Sequence, residues 1–212
     1  MTFQWHIDRG IGHLTLNQPP SNTMSLRFFS EFKALMDSLI TENLPKAIII
    51  SGNGRHFSSG ADIGELLANA NEDTLYANYQ AFAVLETLEI PVIAAIRGVC
   101  LGSALELAMF CHFRICGEDS VLGLPESTYN LIPGIGGIQR LAALSGKAAA
   151  LQLILCGNTF DAHDAFKVNL VDAIVPKKML IEAAEEFVHN LPLDYSSTDR
   201  KLYIYKFLRH YH

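Results

Sequence analysis

The chain has 212 residues, 50% of them hydrophobic and 18% charged. A chain of this size and composition can bury roughly 70% of the surface its unfolded form exposes, which excludes a disordered segment and removes the need for disulfides or a structural metal. The formal charge of −6 argues against a general nucleic-acid binder, which requires a basic face.

Residues 3–7 and 11–16 alternate as two short strands around a turn at Arg9-Gly10, and Pro19 and Pro20 end the second. A helix follows, with Phe28, Phe32, Leu35, Met36 and Leu39 on one face and Glu31, Lys33 and Asp37 largely off it. The run AIIISG (47–52) reads as a strand buried on both faces. A helix over 73–89 is ended by Pro91, and VIAAI (92–96) is the next strand. In GVCLGSALELAMFC, Gly98 and Gly102 permit tight backbone ahead of a helix, and FRICG (113–117) is a third buried strand. Helical stretches follow near 137–145, 147–155 and 161–167. VDAIV (171–175) is a strand stopped by Pro176, and 177–190 is an amphipathic helix. This order predicts an α/β domain with parallel strands and right-handed crossovers over residues 1–190. Residues 191–212 form a short tail in which Tyr203, Phe207 and Leu208 make one apolar helix face.

No stretch reaches the ~18 uncharged apolar residues of a membrane span, because Arg97 and Glu106 interrupt the most apolar one. The start, MTFQWHIDRG, lacks the basic and apolar regions of a signal peptide, so a cytoplasmic location is expected. Cys100, Cys111, Cys116 and Cys156 show no metal-type spacing and read as free thiols of a reducing compartment.

Several catalytic motifs fail. Gly134-Ile-Gly136-Gly137 has Gln139 where a dinucleotide fingerprint needs its last glycine, and Gly146-Lys147 is followed by Ala148, not Ser or Thr. Ser103 has Leu101 and Leu105 where a nucleophile elbow needs glycines. No H-E-x-x-H occurs, and His210-Tyr211-His212 reads as an exposed tail.

Three segments instead carry chemistry. HFSSGADIGEL (56–66) is a small-residue loop directly after the buried strand. RGVCLGSALELA (97–108) joins a strand end, a glycine loop and a helix start with free N–H groups. LPESTYNLIPGIGGIQRL (124–141) places a Glu before a proline–glycine turn. In sequence this trio resembles the crotonase family, the enoyl-CoA hydratases and isomerases, from about residue 3 to about residue 190. The matching pieces are FSSGADI, G-V-C-L-G-x-x-x-E-L-A, and PE followed by IPGIGGIQRL, with DAHDAFKVNLVDAIVP similar to the family's passage into its last helices.

The resemblance implies the ClpP/crotonase fold, in which repeated ββα units form a spiral core. The segment after residue 190 is shorter than that family's usual helical module, so a reduced C-terminal helical region is expected. By motif position, the backbone N–H groups of Ala61 and Ser103 would form an oxyanion hole for an acyl-CoA thioester carbonyl. Fixed donors in a dry site stabilise the charge of a forming enolate, typically by about 3–4 kcal/mol per donor. Glu106 and Glu126 match the two carboxylates that hold a water against the double bond, with Glu106 as base and Glu126 as proton donor. Two such buried carboxyls cannot both ionise freely, so one should stay protonated near neutrality. Ala61, Asp62 and Ile63 would bracket coenzyme A, with Asp62 equally readable as a helix cap. Gly102, Pro133 and Gly134 would line the acyl site, and a helix would start at Gly134.

The implied reaction is reversible hydration of a 2-enoyl-CoA, with the CoA thioester as substrate and no metal or redox cofactor. A double-bond isomerase, a decarboxylase or hydrolase of the same fold, and a non-enzymatic acyl-CoA-binding homologue are the alternatives. The resemblance also implies a homo-oligomer, a trimer or a dimer of trimers. The family's glycine loop often reads G-G-G where this chain has Gly102-Ser103-Ala104, and His112 stands where Asp is common.

Overall fold

The structure is a computed structural model that describes residues 1–41, 44–69, 71–192, 203, 204 and 207. Strands β1 (Phe3–Asp8) and β2 (Ile11–Leu16) form the expected antiparallel hairpin, with Arg9 and Gly10 both at positive φ in its turn. β3 (Ala47–Gly52) and β4 (Val92–Ile96) extend the sheet in parallel. β5 (Val99–Leu101) leaves it, β6 (Phe113–Gly117) returns to it, and β7 (Val121–Gly123) leaves again. β8 is Thr159–Asp161 and β9 is Ala173–Val175. The large sheet has the order β1-β2-β3-β4-β6-β9, and β5-β7-β8 form a smaller one.

The helices are α1 (Leu26–Thr41), α2 (Ile63–Ala68), α3 (Glu72–Ala83), α4 (Ser103–Phe110), α5 (Gly137–Cys156), α6 (Ala162–Lys167) and α7 (Leu180–His189). A 3-10 turn at Val84–Thr87 extends α3. The repeat of the fold is visible in the chain order. β4, β5 and α4 make one ββα unit, and β6, β7 and α5 make the next. In the unit begun by β3, a single bridge from Ser58 to Cys100 stands in for the second strand ahead of α2. The strand departures are short because each second strand needs only about three residues to reach the smaller sheet.

The central strands β3, β4 and β6 are buried on both faces, as their unbroken apolar runs predict, whereas the edge strand β1 is largely exposed. Ile48, Ile50, Val92 and Ala94 point into the main core with Phe28, Phe32 and Met36 of α1. Each of those three helix side chains is at most 2% exposed and contributes about 2–3 kcal/mol by leaving water. Ala47, Ile49, Ile93 and Ile115 point to the opposite face, which α7 covers with Leu180, Ala183, Ala184 and Phe187. Tyr203 and Phe207 are helical and buried on that same face, and Phe207 packs edge-on against Phe187 at 5.0 Å. Leu208 lies outside the described residues.

Two expectations are adjusted and one is met. The stretch 97–101 contains a strand as well as a glycine loop, because Cys100 pairs with Leu122 and bridges to Ser58. The 137–156 helix carries the expected break at Gly146, whose φ of 81° and ψ of 163° are non-helical. The helix starts at Gly137 rather than Gly134, since Gly136 takes a left-handed conformation that ends the preceding turn. Among the described residues no helix is long and apolar enough to cross a membrane.

Candidate active site

The site forms beyond the ends of β3 and β4, where the chain leaves adjacent parallel strands and loops converge. Residues 57–62 run between two neighbours. Ser58 N–H donates to Val99 O at 3.1 Å on one flank, and Asp62 N–H donates to Met24 O at 2.9 Å on the other. Phe57, Ser59 and Gly60 also place their N–H groups on Arg97 O, Ser21 O and Ser58 Oγ. Among the described residues the N–H of Ala61 has no acceptor.

Gly60 sets how close this loop lies to the next one. Its φ is +94°, and a methyl group there would sit 2.5 Å from Leu101 O and 3.3 Å from Ser103 N. Gly102 then turns the chain into α4 with a φ of 54°, its own N–H bonded to Gly123 O at 2.9 Å. No side chain caps α4, so Ser103 N–H, like that of Ala61, meets no acceptor among the described residues. Two unbonded amides thus lie on adjoining loops, one of them at the positive end of a helix.

Glu106 follows Ser103 by one turn on α4 and is 1% exposed. Its Oε1 accepts the N–H groups of Ile135 at 2.8 Å and Gly137 at 3.0 Å. Burial, with the Glu126 charge adding to it, pushes its carboxyl up to about 7 against the pull of those amides. Glu126 sits in the 3-10 turn Pro125–Tyr129. A methyl on Gly102 would lie 3.2 Å from its Oε1, which places this carboxylate over the start of α4. Burial pushes it, too, up to about 7, and its Oε2 is buried without a hydrogen-bond partner among the described residues. The structure therefore brings Ala61, Gly102, Ser103, Glu106 and Glu126 together.

Asp62 caps α2, its Oδ1 accepting Glu65 N–H at 3.0 Å, and Ile63 is the first residue of that helix. A polar cavity of about 370 Å³ opens beside Asp62, lined among others by Thr2, Ser21, Thr23, Ser25 and Arg27. Pro133 is buried, while Gly134 is exposed and backs onto Leu75 of α3. His112 is structural in its contact, its Nδ1 accepting Val92 N–H at 3.0 Å. Cys100, Cys111 and Cys116 are buried free thiols and Cys156 is an exposed one.

Sequence reasoning missed the residues that position the named ones. Ile135 and Gly137 act through backbone amides, and Met24 pins the 60–62 loop through its own N–H and carbonyl. Ile135 and Gly137 both fall within the IPGIGG stretch, but nothing in that pattern marks their amides as donors.

A family model described as Enoyl-CoA hydratase/isomerase matches residues 6–199. A Bacillus subtilis (strain 168) protein named "Probable enoyl-CoA hydratase" is 41% identical over 169 residues, 78% of this chain and 66% of the relative. The fatty acid oxidation complex subunit alpha of Shewanella frigidimarina (strain NCIMB 400) is 40% identical over 188 residues, 84% of this chain and 26% of that protein. The chain thus spans just under two thirds of the first relative and about a quarter of the second. Among solved structures, the enoyl-CoA hydratase of Bacillus anthracis superposes with a TM-score of 0.83 at 29% identity, covering 99% of this chain and 92% of that one. A Thermobifida fusca YX protein assigned as an enoyl-CoA hydratase, solved in complex with CoA, gives 0.84 at 26% identity, covering 99% and 85%. The fold is crotonase-like, and the chain belongs to the enoyl-CoA hydratase/isomerase family.

Proposed function

We propose that this chain hydrates the 2,3 double bond of an enoyl-CoA thioester. The observation that carries the reading is the pair of carboxyls, Glu106 buried and Glu126 half-buried, both raised to about 7 beside the two unbonded amides. The polar cavity beside Asp62 suits the hydroxylated and charged part of coenzyme A, and the CoA complex of the Thermobifida fusca relative supports it.

In this reading the thioester carbonyl oxygen accepts from Ala61 N–H and Ser103 N–H. Both amides are fixed by flanking backbone bonds, so little reorganisation is needed as negative charge develops. A water held between the carboxylates loses a proton to Glu106 while its oxygen bonds to Cβ. The electrons of the double bond move toward the carbonyl, and Glu126 delivers its proton to Cα. One carboxyl must be ionised and the other protonated, a state that two groups near 7 populate at neutral pH. Proton transfers of this kind require no electron carrier. A homo-oligomer is part of the reading, supported by exposed Leu151 and Leu155 on α5 and exposed Ile132, and light scattering after size exclusion tests it.

The test is the enone absorbance of crotonyl-CoA on addition of the protein. Its loss is expected, with Glu126→Gln slower by about 10²–10⁴. No loss with any enoyl-CoA from four to ten carbons would overturn the proposal.

A further inference from the structure

Glu106 and Glu126 have unlike surroundings. Glu106 accepts the amides of Ile135 and Gly137, both on Oε1. The hydroxyl of Ser103 is a further donor to this carboxylate, and among the described residues no other side chain donates to it. Glu126 has only its own backbone as a donor among the described residues, and its Oε2 is buried without a partner. Donors to a carboxylate favour its ionised form, and a dry oxygen without one favours the protonated form.

Ser103 opens α4 and Glu106 stands three residues on, so the two side chains share one face of the helix. The pattern S-x-x-E has the spacing of a capping box, in which the serine side chain is spent on a backbone amide. Here Gly102 takes the cap position with a φ of 54°, no side chain caps the helix, and Glu106 N–H goes to Gly102 O at 3.0 Å. The hydroxyl is therefore left for the carboxylate. Ser103 is 7% exposed and Glu106 1%, and in so dry a place a hydrogen bond to a charged group is strong. A glycine at this position, as in the G-G-G loop of similar chains, would supply the same backbone N–H and no hydroxyl.

We infer that the Ser103 hydroxyl is a positioning group that keeps Glu106 the ionised member of the pair, so that the shared proton rests on Glu126. One residue then acts twice: its amide faces the thioester oxygen, and its hydroxyl selects the base. Burial raises both carboxyls to about 7, with the Glu126 charge adding to it at Glu106, and so does not by itself choose between them. The unequal supply of donors does. The inference rests on the proposed hydration and deepens it by naming what divides base from acid.

The experiment titrates both carboxyls directly, by carbon NMR of protein labelled at its glutamate carboxyls, with Glu106→Gln and Glu126→Gln identifying the two resonances. In the wild type Glu106 should lose its proton at the lower pH. Ser103→Ala and Ser103→Gly keep the amide and remove the hydroxyl. Each should raise the Glu106 midpoint by about one pH unit, the effect of one hydrogen bond to a charged group. The acidic limb of kcat/KM for crotonyl-CoA should move up by the same amount, because the base must be ionised. Ser103→Ala, the better helix former, serves if Ser103→Gly does not fold. An unmoved midpoint, a rise in Ser103→Gly alone, or turnover lowered equally at every pH overturns the inference while leaving hydration intact. Loss of the Glu126 proton ahead of that of Glu106 in the wild type overturns it as well. A wild type that hydrates no enoyl-CoA, yet whose Glu106 midpoint rises in both variants, overturns hydration while supporting the hold of the hydroxyl on Glu106.

Discussion

Glu106 Oε1 accepts the amide hydrogen of Gly137 at 3.0 Å, and a methyl group on Gly137 would lie 2.8 Å from that same oxygen. The carboxylate is therefore aimed by a backbone donor that tolerates no side chain. Pro133 Cβ, 2.9 Å from the same methyl position, closes the other way out. Gly137→Ala should displace Glu106 and overpack the turn, lowering stability by about 1–3 kcal/mol. A carboxylate moved by about 1 Å loses roughly 10²-fold in turnover. Urea denaturation and crotonyl-CoA kinetics check both numbers, and wild-type turnover in a folded variant would show that another group aims Glu106.

Gly60 controls the distance between the two amide-bearing loops. At a φ of +94°, with Leu101 O 2.5 Å from the site of a Cβ, alanine is strained and also collides. Gly60→Ala should move Ala61 away from Ser103 and remove one donor from the shared oxygen site. The expected fall in kcat is about 10²–10³. Affinity for a saturated acyl-CoA should change far less, because the ground-state carbonyl carries less charge than the enolate. Equal losses in binding and turnover would contradict this assignment.

What was legible in the sequence follows from where the information lies. The α1 stripe of Phe28, Phe32 and Met36 and the run of β3 are local patterns, and both appear as read. The strands β5, β7 and β8 have three residues each and no readable period. They exist because Cys100 aligns with Leu122, and Leu122 with Phe160, pairings that only the folded chain makes. In the site, Glu106 and Glu126 stood out because their side chains lie in recognisable motifs. The amides of Ile135 and Gly137 did not, since every residue but proline carries one.

The two carboxyls also set a pH dependence. Burial raises Glu106 from 4.5 to about 7, and Glu126 likewise. Between those values the folded chain holds protons that the unfolded chain has released. The stability from this pair is thus fully present below about pH 4.5 and is lost as pH rises through about 7. Asp172, also raised by burial, acts in the same direction, whereas Glu31, lowered to about 2 by the Thr2 amide and Arg27, loses its contribution only in strong acid. Comparing Glu106→Gln with the wild type isolates one group. The variant should lose less stability between pH 5 and pH 8, read as a smaller shift in the urea midpoint. Parallel shifts in the two proteins would show that Glu106 titrates normally. Turnover should peak near neutrality and fall on both sides, because it needs one ionised and one protonated carboxyl.

The C-terminal end of α4 depends on a different buried charge. Arg114, on β6, is 0% exposed, and its Nη2 lies 3.1 Å from Asp172 Oδ2. Its Nε donates to Leu170 O at 2.9 Å, and its Nη1 to Cys111 O at 2.9 Å and Ala108 O at 3.2 Å. One guanidinium thus fastens the last turn of the helix that carries Glu106 to the segment entering β9. Asp172 also accepts the Arg114 backbone N–H at 2.8 Å, so its removal strands a cation and an amide together. Asp172→Ala should cost about 3–5 kcal/mol, the penalty of an unpaired buried charge. Asp172→Asn keeps an acceptor of the same shape and should cost less. Because Glu106 is aimed from Ile135 and Gly137, the surviving folded fraction of Asp172→Asn should retain most of its turnover. Denaturant midpoints rank the variants, and an Asp172→Ala protein as stable as the wild type would mean that the guanidinium is satisfied by its carbonyl partners alone.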